Sequence, residues 1–341
     1  MFRSSSLLNR CAGQLSRSFS SKPTMAQIKE LRELSSAPIV DCKNALTEAD
    51  GDMDAAWEWL RKRGAAAATK LSSREASEGL VGVGVQGTRG SILELNSETD
   101  FCSGNEHFQQ LVGSLSDLVR VQGAGGGGGG SALDIGTFCD GPATMTSTND
   151  GSEVSVGVAV TEITGKLREN LVLRRASCVS VGAGVIGSYV HGAVAPGMGK
   201  SGALVALEVG EGAGAADARA DELRELGKKI AMHVVAARPQ FATRDAVPAD
   251  VVETERRVHL ATIPEGKPPA MIEKIVAGKL GRFYSEQVLL EQKFLLAECG
   301  KLTVQGAIDD AARDLGLDIS LVDFAFMEVG EQLGGGEGPA E

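Results

Sequence analysis

The chain has 341 residues, 43% hydrophobic and 23% charged, which is enough for two modest domains with a substantial core. A net charge of −11 excludes a broad nucleic-acid surface and favours a protein partner with basic patches. The absence of an 18-residue apolar run excludes a spanning helix, and six cysteines (Cys11, Cys42, Cys102, Cys139, Cys178, Cys299) without a CxxC pair exclude a zinc ribbon or disulfide scaffold. Such cysteines read as free thiols in a reducing compartment.

Residues 1–24 differ from the rest. They hold no acid; the first is Glu30. Arg3, Arg10 and Arg17 recur every seven residues, on one face of a helix, with Leu7, Leu8 and Leu15 adding apolar surface. The pattern predicts an organellar transit peptide, mitochondrial in preference to plastid, and hence a matrix location.

Residues 25–64 predict a compact module of three short helices. The first, "MAQIKELREL", puts Ile28, Leu31 and Leu34 on one side and is broken at Pro38. The second, "IVDCKNALTEA", repeats Val40, Ala45 and Leu46 at helical spacing. The third starts from a cap at Asp52 or Asp54, runs through Trp57 and Leu60, and stops at Gly64. So small a core suits a docking unit. Residues 65–79 read as a linker.

Residues 80–96 alternate around Gly-Thr-Arg-Gly and predict a β-hairpin. Ser103 with Glu106 forms a capping box for a helix reaching about Val121. The polyglycine run 123–130 reads as a flexible insertion. Residues 152–169 mix strand and helix signals, with helix favoured, and "LVLRRASCVSV" reads as a strand. A second hairpin, "GVIGSYVHGAVAPGMGKSGALVALEVG", then precedes a helix over 219–237. This repeats the first hairpin–helix pair. Two related α+β subdomains with antiparallel sheets are therefore predicted, over 80–177 and 178–330. The second includes a helical hairpin, 249–283, and ends in a short helix after Thr303 and a strand over 319–329. Residues 331–341 read as a disordered tail.

Several motifs fail on context. Gly82-x-Gly84-x-x-Gly87 and Gly182-x-Gly184-x-x-Gly187 match a dinucleotide fingerprint, but each precedes or lies within a strand instead of opening a helix. "GMGKS", 197–201, lacks the first glycine of a phosphate loop; that place is Val194. Cys102 and His107 are five apart across the predicted helix start and form no nucleophile pair. No cofactor, metal site or catalytic residue is expected.

The stretch "NSETDF" raises a separate question: why an aromatic should sit in an exposed turn. Together with "KELRELSSAPIVDCKNALTEADGDMDAAWEWLRKRG", "ENLVLRRA", "GSYVHG", "KKIAMHVVAARPQF", "EGKPPAMIEKIVAGKLGRFYSE" and "EQKFLLAECGKLTV", it resembles the elongation factor Ts family. The resemblance runs in order from residue 25 to 330. It implies a guanine nucleotide exchange factor for elongation factor Tu, binding that partner GDP-bound and nucleotide-free, with no covalent chemistry and no direct contact with nucleic acid or membrane. It also implies that residues 25–64 form a ubiquitin-associated-like module gripping the partner's GTPase domain through Arg32, Ile39, Val40 and Cys42; against this, one of Ile39 and Val40 is expected in the core, since adjacent helical residues cannot both face inward. Thr99, Asp100 and Phe101 map onto the family's "TDF": the phenylalanine wedges between partner helices and the aspartate disturbs the groups ordering its magnesium. His191, in "SYVHG", maps to the partner interface. Three departures stand out: Cys102, Ser103 and Gly104 after the phenylalanine, Arg168 where the family has glycine, and the polyglycine insertion. Two readings compete with this one. In the first, Thr99 or Asp100 caps the turn and Phe101 staples it. In the second, the chain is a ubiquitin-associated-like scaffold without exchange activity.

Overall fold

The computed structural model describes residues 22–35, 37–123, 131–148, 151–210, 219–263, 268–297 and 302–332. The expectations for residues 1–21, 124–130 and 333–341 lie outside them. Two units divide between Gly64 and Ala65.

The first unit holds α1 (Met25–Ser35), α2 (Ile39–Glu48) and the start of α3 (Met53–Leu71). Its core is Ile28, Leu31, Cys42, Ala45, Leu46 and Ala56. Three expectations change here. Leu34 is 59% exposed, and Ser35 takes the inward position instead. The Ser35 hydroxyl donates to the Leu31 carbonyl at 2.6 Å, which makes its burial tolerable. On α2 it is Cys42, not Val40, that completes the inward stripe with Ala45 and Leu46. Asp52 caps α3, accepting from the Ala55 amide at 3.0 Å, but the helix does not stop at Gly64. A helical glycine costs only about 1 kcal/mol, and the alanines that follow propagate the helix.

The second unit opens with β1 (Glu78–Gln86) and β2 (Arg89–Ser97), paired antiparallel around a turn whose Gly87 takes φ +59°. A 3-10 turn, Asp100–Gly104, leads into α4 (Glu106–Gln122). The expected Ser103 cap is not formed. Asn105 is the N-cap, accepting from the His107 amide at 2.9 Å. Ser103 is buried and donates to the Gly79 carbonyl instead. Then come β3 (Ser131–Ala132), α5 (Ile135–Asp140), β4 (Thr144–Thr146), β5 (Glu153–Ser155) and α6 (Val156–Leu167). The helix favoured over 152–169 is thus present, with Ser155 as its cap.

Next are β6 (Val172–Ser180), β7 (Gly184–His191), β8 (Met198–Gly199), β9 (Ser201–Val209) and α7 (Ala220–Ala237). The chain continues through α8 (Ala249–Ala261), α9 (Pro269–Gln287), α10 (Val304–Leu315) and β10 (Ile319–Glu328). The sheets are β3-β6-β2-β1-β8, β10-β9-β7 and the small β4-β5. The fold is α+β with antiparallel sheets, and the repeat is real in form: β1–β2–α4 and β7–β9–α7. A boundary at 177/178 would cut β6, and β8 belongs to the first sheet through its pairing with β1.

Glu94, on β2, is fully buried. Its oxygens accept from Arg174 Nη1 at 3.1 Å, Arg175 Nε at 2.7 Å, Asn96 Nδ2 at 3.0 Å and the Gly330 amide at 2.9 Å. Two adjacent arginines reach one carboxylate because the β2–β6 register shifts between Glu94 and Leu95, leaving Arg174 as the extra residue of a bulge. Burial pushes the Glu94 carboxyl up, but the bonds from Gly330, Asn96 and Arg175 outweigh it and hold the group below the usual range.

Three of the glycines that mimicked a nucleotide fingerprint have packing roles. Gly82 and Gly84 lie within β1, against α4. Gly187, on β7, faces Gly227 of α7, and a Cβ at 187 would lie 2.2 Å from the Gly227 carbonyl carbon. Because the obstacle is backbone, Gly187→Ala is expected to cost about 1–3 kcal/mol or more. Urea unfolding of the variant against the parent chain measures this, and an unchanged midpoint would contradict the helix–sheet contact.

Candidate partner-binding site

Phe101 is the second residue of the 3-10 turn and is 85% exposed, the most exposed of the large apolar side chains described. It packs on nothing that would make it a staple. Asp100 beside it is also exposed. Thr99 occupies the N-cap position but makes no side-chain cap bond. Its hydroxyl donates to Glu169 Oε1 at 2.7 Å and its amide to Glu169 Oε2 at 2.9 Å. One residue earlier, Glu98 accepts from the Asn170 amide at 2.7 Å and from Arg74 at 3.3 Å. The Asn170 side chain in turn donates to the Arg74 carbonyl at 2.7 Å.

Behind the turn, Cys102 and Ser103 are buried, and Gln109 Nε2 donates to the Ser103 carbonyl at 2.8 Å. The turn is therefore held at both ends and by its inner residues, while its two outward side chains are presented to solvent. Glu169 was invisible to local sequence reasoning, because its partner lies seventy positions away and no spacing rule links them.

His191 ends β7 and is exposed, with Tyr189 Oη 3.3 Å from its Nδ1. In the first unit, Arg32 is exposed, and Ile39 and Val40 are both outside, 48% and 67% exposed. The expectation that one of the pair fills the core is thus corrected. Cys42 is corrected in the opposite sense: it has no exposed surface, and its thiol lies 3.5 Å from the Ala37 carbonyl, so it supports the module from within. Leu34, assigned to the core from sequence, joins Ile39 and Val40 as exposed apolar surface at the corner between α1 and α2. Among the described residues, no group of three or more histidines, cysteines or acids could hold a metal ion, and no helix is long and apolar enough to cross a membrane.

The family pattern described as Elongation factor TS matches residues 98–331, starting one residue before Thr99. The chain belongs to the elongation factor Ts family. It is 41% identical over 312 residues to the elongation factor Ts of Parvibaculum lavamentivorans, covering 91% of this chain and 93% of that one. It is 41% identical over 311 residues to that of Rhodospirillum rubrum, with the same coverage. The protein from Zymomonas mobilis is 40% identical over 311 residues, again covering 91% and 93%. These elongation factors Ts are all bacterial, so the mitochondrial location expected from residues 1–24 is withdrawn. The scaffold alternative is not favoured either, because the matched region lies outside the helical module that suggested it.

Of the four described thiols, Cys42, Cys102 and Cys178 are buried and Cys139 is half-buried. Burial pushes Cys42, Cys139 and Cys178 above the ordinary thiol value; burial and then the Glu169 carboxylate push Cys102 up to about 12. A Cys11→Ser/Cys299→Ser variant should therefore show no more than one reactive thiol, Cys139, to a disulfide reagent within minutes at pH 8, and four after denaturation. Rapid native labelling at Cys102 would contradict the buried inner face of the turn.

Proposed function

We propose that this chain is a guanine nucleotide exchange factor for elongation factor Tu in translation elongation. It binds the GDP-bound partner, promotes GDP release and leaves the nucleotide-free form open to GTP. It makes and breaks no covalent bond. Phe101 carries this reading: a large aromatic held out in water on a turn anchored at both ends, in a chain of this family. Burying such a ring in a partner pocket contributes roughly 1.5–3 kcal/mol. To promote release, that energy has to favour the nucleotide-loosened partner over the GDP-bound one. Each 1.36 kcal/mol so directed is about tenfold in rate.

Asp100 supplies charge beside the wedge, acting on the groups that order the partner's magnesium. Ile39, Val40 and Arg32 supply adhesion from the helical module, and His191 adds a contact from the β7–β9 hairpin.

The roles separate kinetically. Phe101→Ala and Asp100→Ala are expected to slow the saturated rate of fluorescent GDP release from elongation factor Tu by about tenfold or more, with Phe101→Leu retaining more activity than Phe101→Ala. Melting temperature should stay put, because the ring is not in the core. Unchanged release, or a sharp fall in melting temperature with normal release per folded molecule, would overturn the wedge assignment.

Ile39→Ala combined with Val40→Ala is expected to do the reverse, weakening affinity for elongation factor Tu about three- to tenfold while the saturated release rate holds. Titration of the same assay, checked by calorimetry, separates the two effects. Unchanged affinity would remove the module's α1–α2 corner from the interface.

A further inference from the structure

We infer that Glu169 is the positioning residue for exchange, setting the direction in which the Asp100–Phe101 turn is offered to the partner. The inference rests on the proposed exchange reading. Phe101 has almost no packing of its own, so its direction is fixed by the backbone of residues 99–104. The C-terminal half of that segment is tied down by the buried Cys102 and Ser103 and by Gln109. Its leading end has no side-chain cap. The Glu169 carboxylate holds the Thr99 amide at 2.9 Å and its hydroxyl at 2.7 Å, while the Thr99 carbonyl accepts from the Ser97 hydroxyl at 2.9 Å.

Two bonds to one planar carboxylate fix orientation as well as distance, and charged acceptors make the stronger bonds. The Glu98–Asn170 bond next door, at 2.7 Å, keeps the two segments side by side but does not touch the turn. Glu169 can be placed this way because Arg168 before it closes α6 in the left-handed region, at φ +61°, and turns the chain back toward Glu98 and Thr99. Glu169 acts on the turn through Thr99, with the buried Cys102 thiol as its second neighbour there, and is not assigned a contact with the partner.

The test is multiple-turnover GDP release from elongation factor Tu with the full chain, resolving kcat from KM. Parent, Phe101→Ala, Glu169→Ala, Glu169→Gln, Thr99→Val and the Phe101→Ala/Glu169→Ala double variant are compared. Glu169→Ala is expected to lower kcat about tenfold or more with KM within about twofold. Glu169→Gln should recover most of the loss, since an amide oxygen can accept from the Thr99 amide while its nitrogen donates to the hydroxyl. Thr99→Val, which keeps one bond of two, should fall between. The double variant should be no slower than Phe101→Ala alone, because residues acting as a unit are not additive.

A parent-like kcat in Glu169→Ala alongside a slow Phe101→Ala would overturn the positioning role and leave the exchange reading intact. Multiplying losses in the double variant would also overturn it, by showing that Glu169 acts elsewhere. A parent-like Phe101→Ala would sink the wedge reading itself, and this inference with it. Should Glu169→Ala not fold, Thr99→Val decides: a parent-like kcat overturns the role.

Discussion

The bulge opposite Glu94 sets the register on which the second unit depends. Up to Glu94, β2 pairs with β6 so that Glu94 faces Arg175; beyond it, Leu95 faces Leu173 and Asn96 faces Val172. Carried on along both strands, that shifted register brings Glu98 opposite Asn170 and Thr99 opposite Glu169, which are the pairs that bond. Without the extra residue at Arg174, Thr99 would meet Asn170 and the carboxylate would miss it. The bulge persists because Glu94 needs it: a buried carboxylate with one arginine missing would be left short of donors, and breaking such a pair typically costs about 3–5 kcal/mol. The same carboxylate takes the Gly330 amide, so the end of the chain after β10 is tied to the first sheet. Arg175 reinforces this through Glu331 at 2.8 Å and the Glu328 carbonyl at 3.0 Å. A polar cluster in the middle of a sheet thus joins both sheets and indirectly aims the turn.

Rigid support and exposed display are complementary at the turn. A phenylalanine exposed to water gains nothing from the fold that carries it, and Cys102 and Ser103 keep its inner face dry. This division explains why the departures from the family pattern at Cys102 and Ser103 are tolerable. Both side chains point inward, where a small buried thiol and a bonded hydroxyl fit, and the outward face is still Asp100 and Phe101. Arg168 is a costlier departure. It occupies the left-handed position that a glycine would take freely, at a strain of roughly 1–2 kcal/mol.

The helical module shows a different logic. Among the described residues its core cluster holds six buried side chains, and Leu34, Ile39 and Val40 lie outside it. Exposed aliphatic side chains gathered at one interhelical corner suit an adhesive role, whereas Phe101 suits a differential one. An exchange factor requires both: adhesion alone would bind every state of the partner equally and shift nothing.

Much of this was legible in the sequence. Alternation and turn glycines located both hairpins, helical periodicity located α7 and α10, and the motif series pointed to the family from residues alone. The sequence misled where two local signals competed. Ser103 and Glu106 spell a capping box, yet Asn105 sits two residues nearer the helix and wins, because Ser103 is drawn inward to Gly79. Leu34 and Val40 looked like core by spacing, but a narrow stripe on each short helix has room for only a few residues, and Ser35 and Cys42 fit the tight α1–α2 approach better than larger side chains. Short-range pattern, then, was enough to place both hairpins, most of the long helices and the exposed aspartate–phenylalanine pair, but not the short elements β3, α5, β4, β5 and β8. Only the tertiary structure decided which residues aim that pair, because the Thr99–Glu169 bond and the Glu94 cluster join positions some seventy and eighty apart. Such contacts depend on strand register, and register is settled by pairing across the sheet.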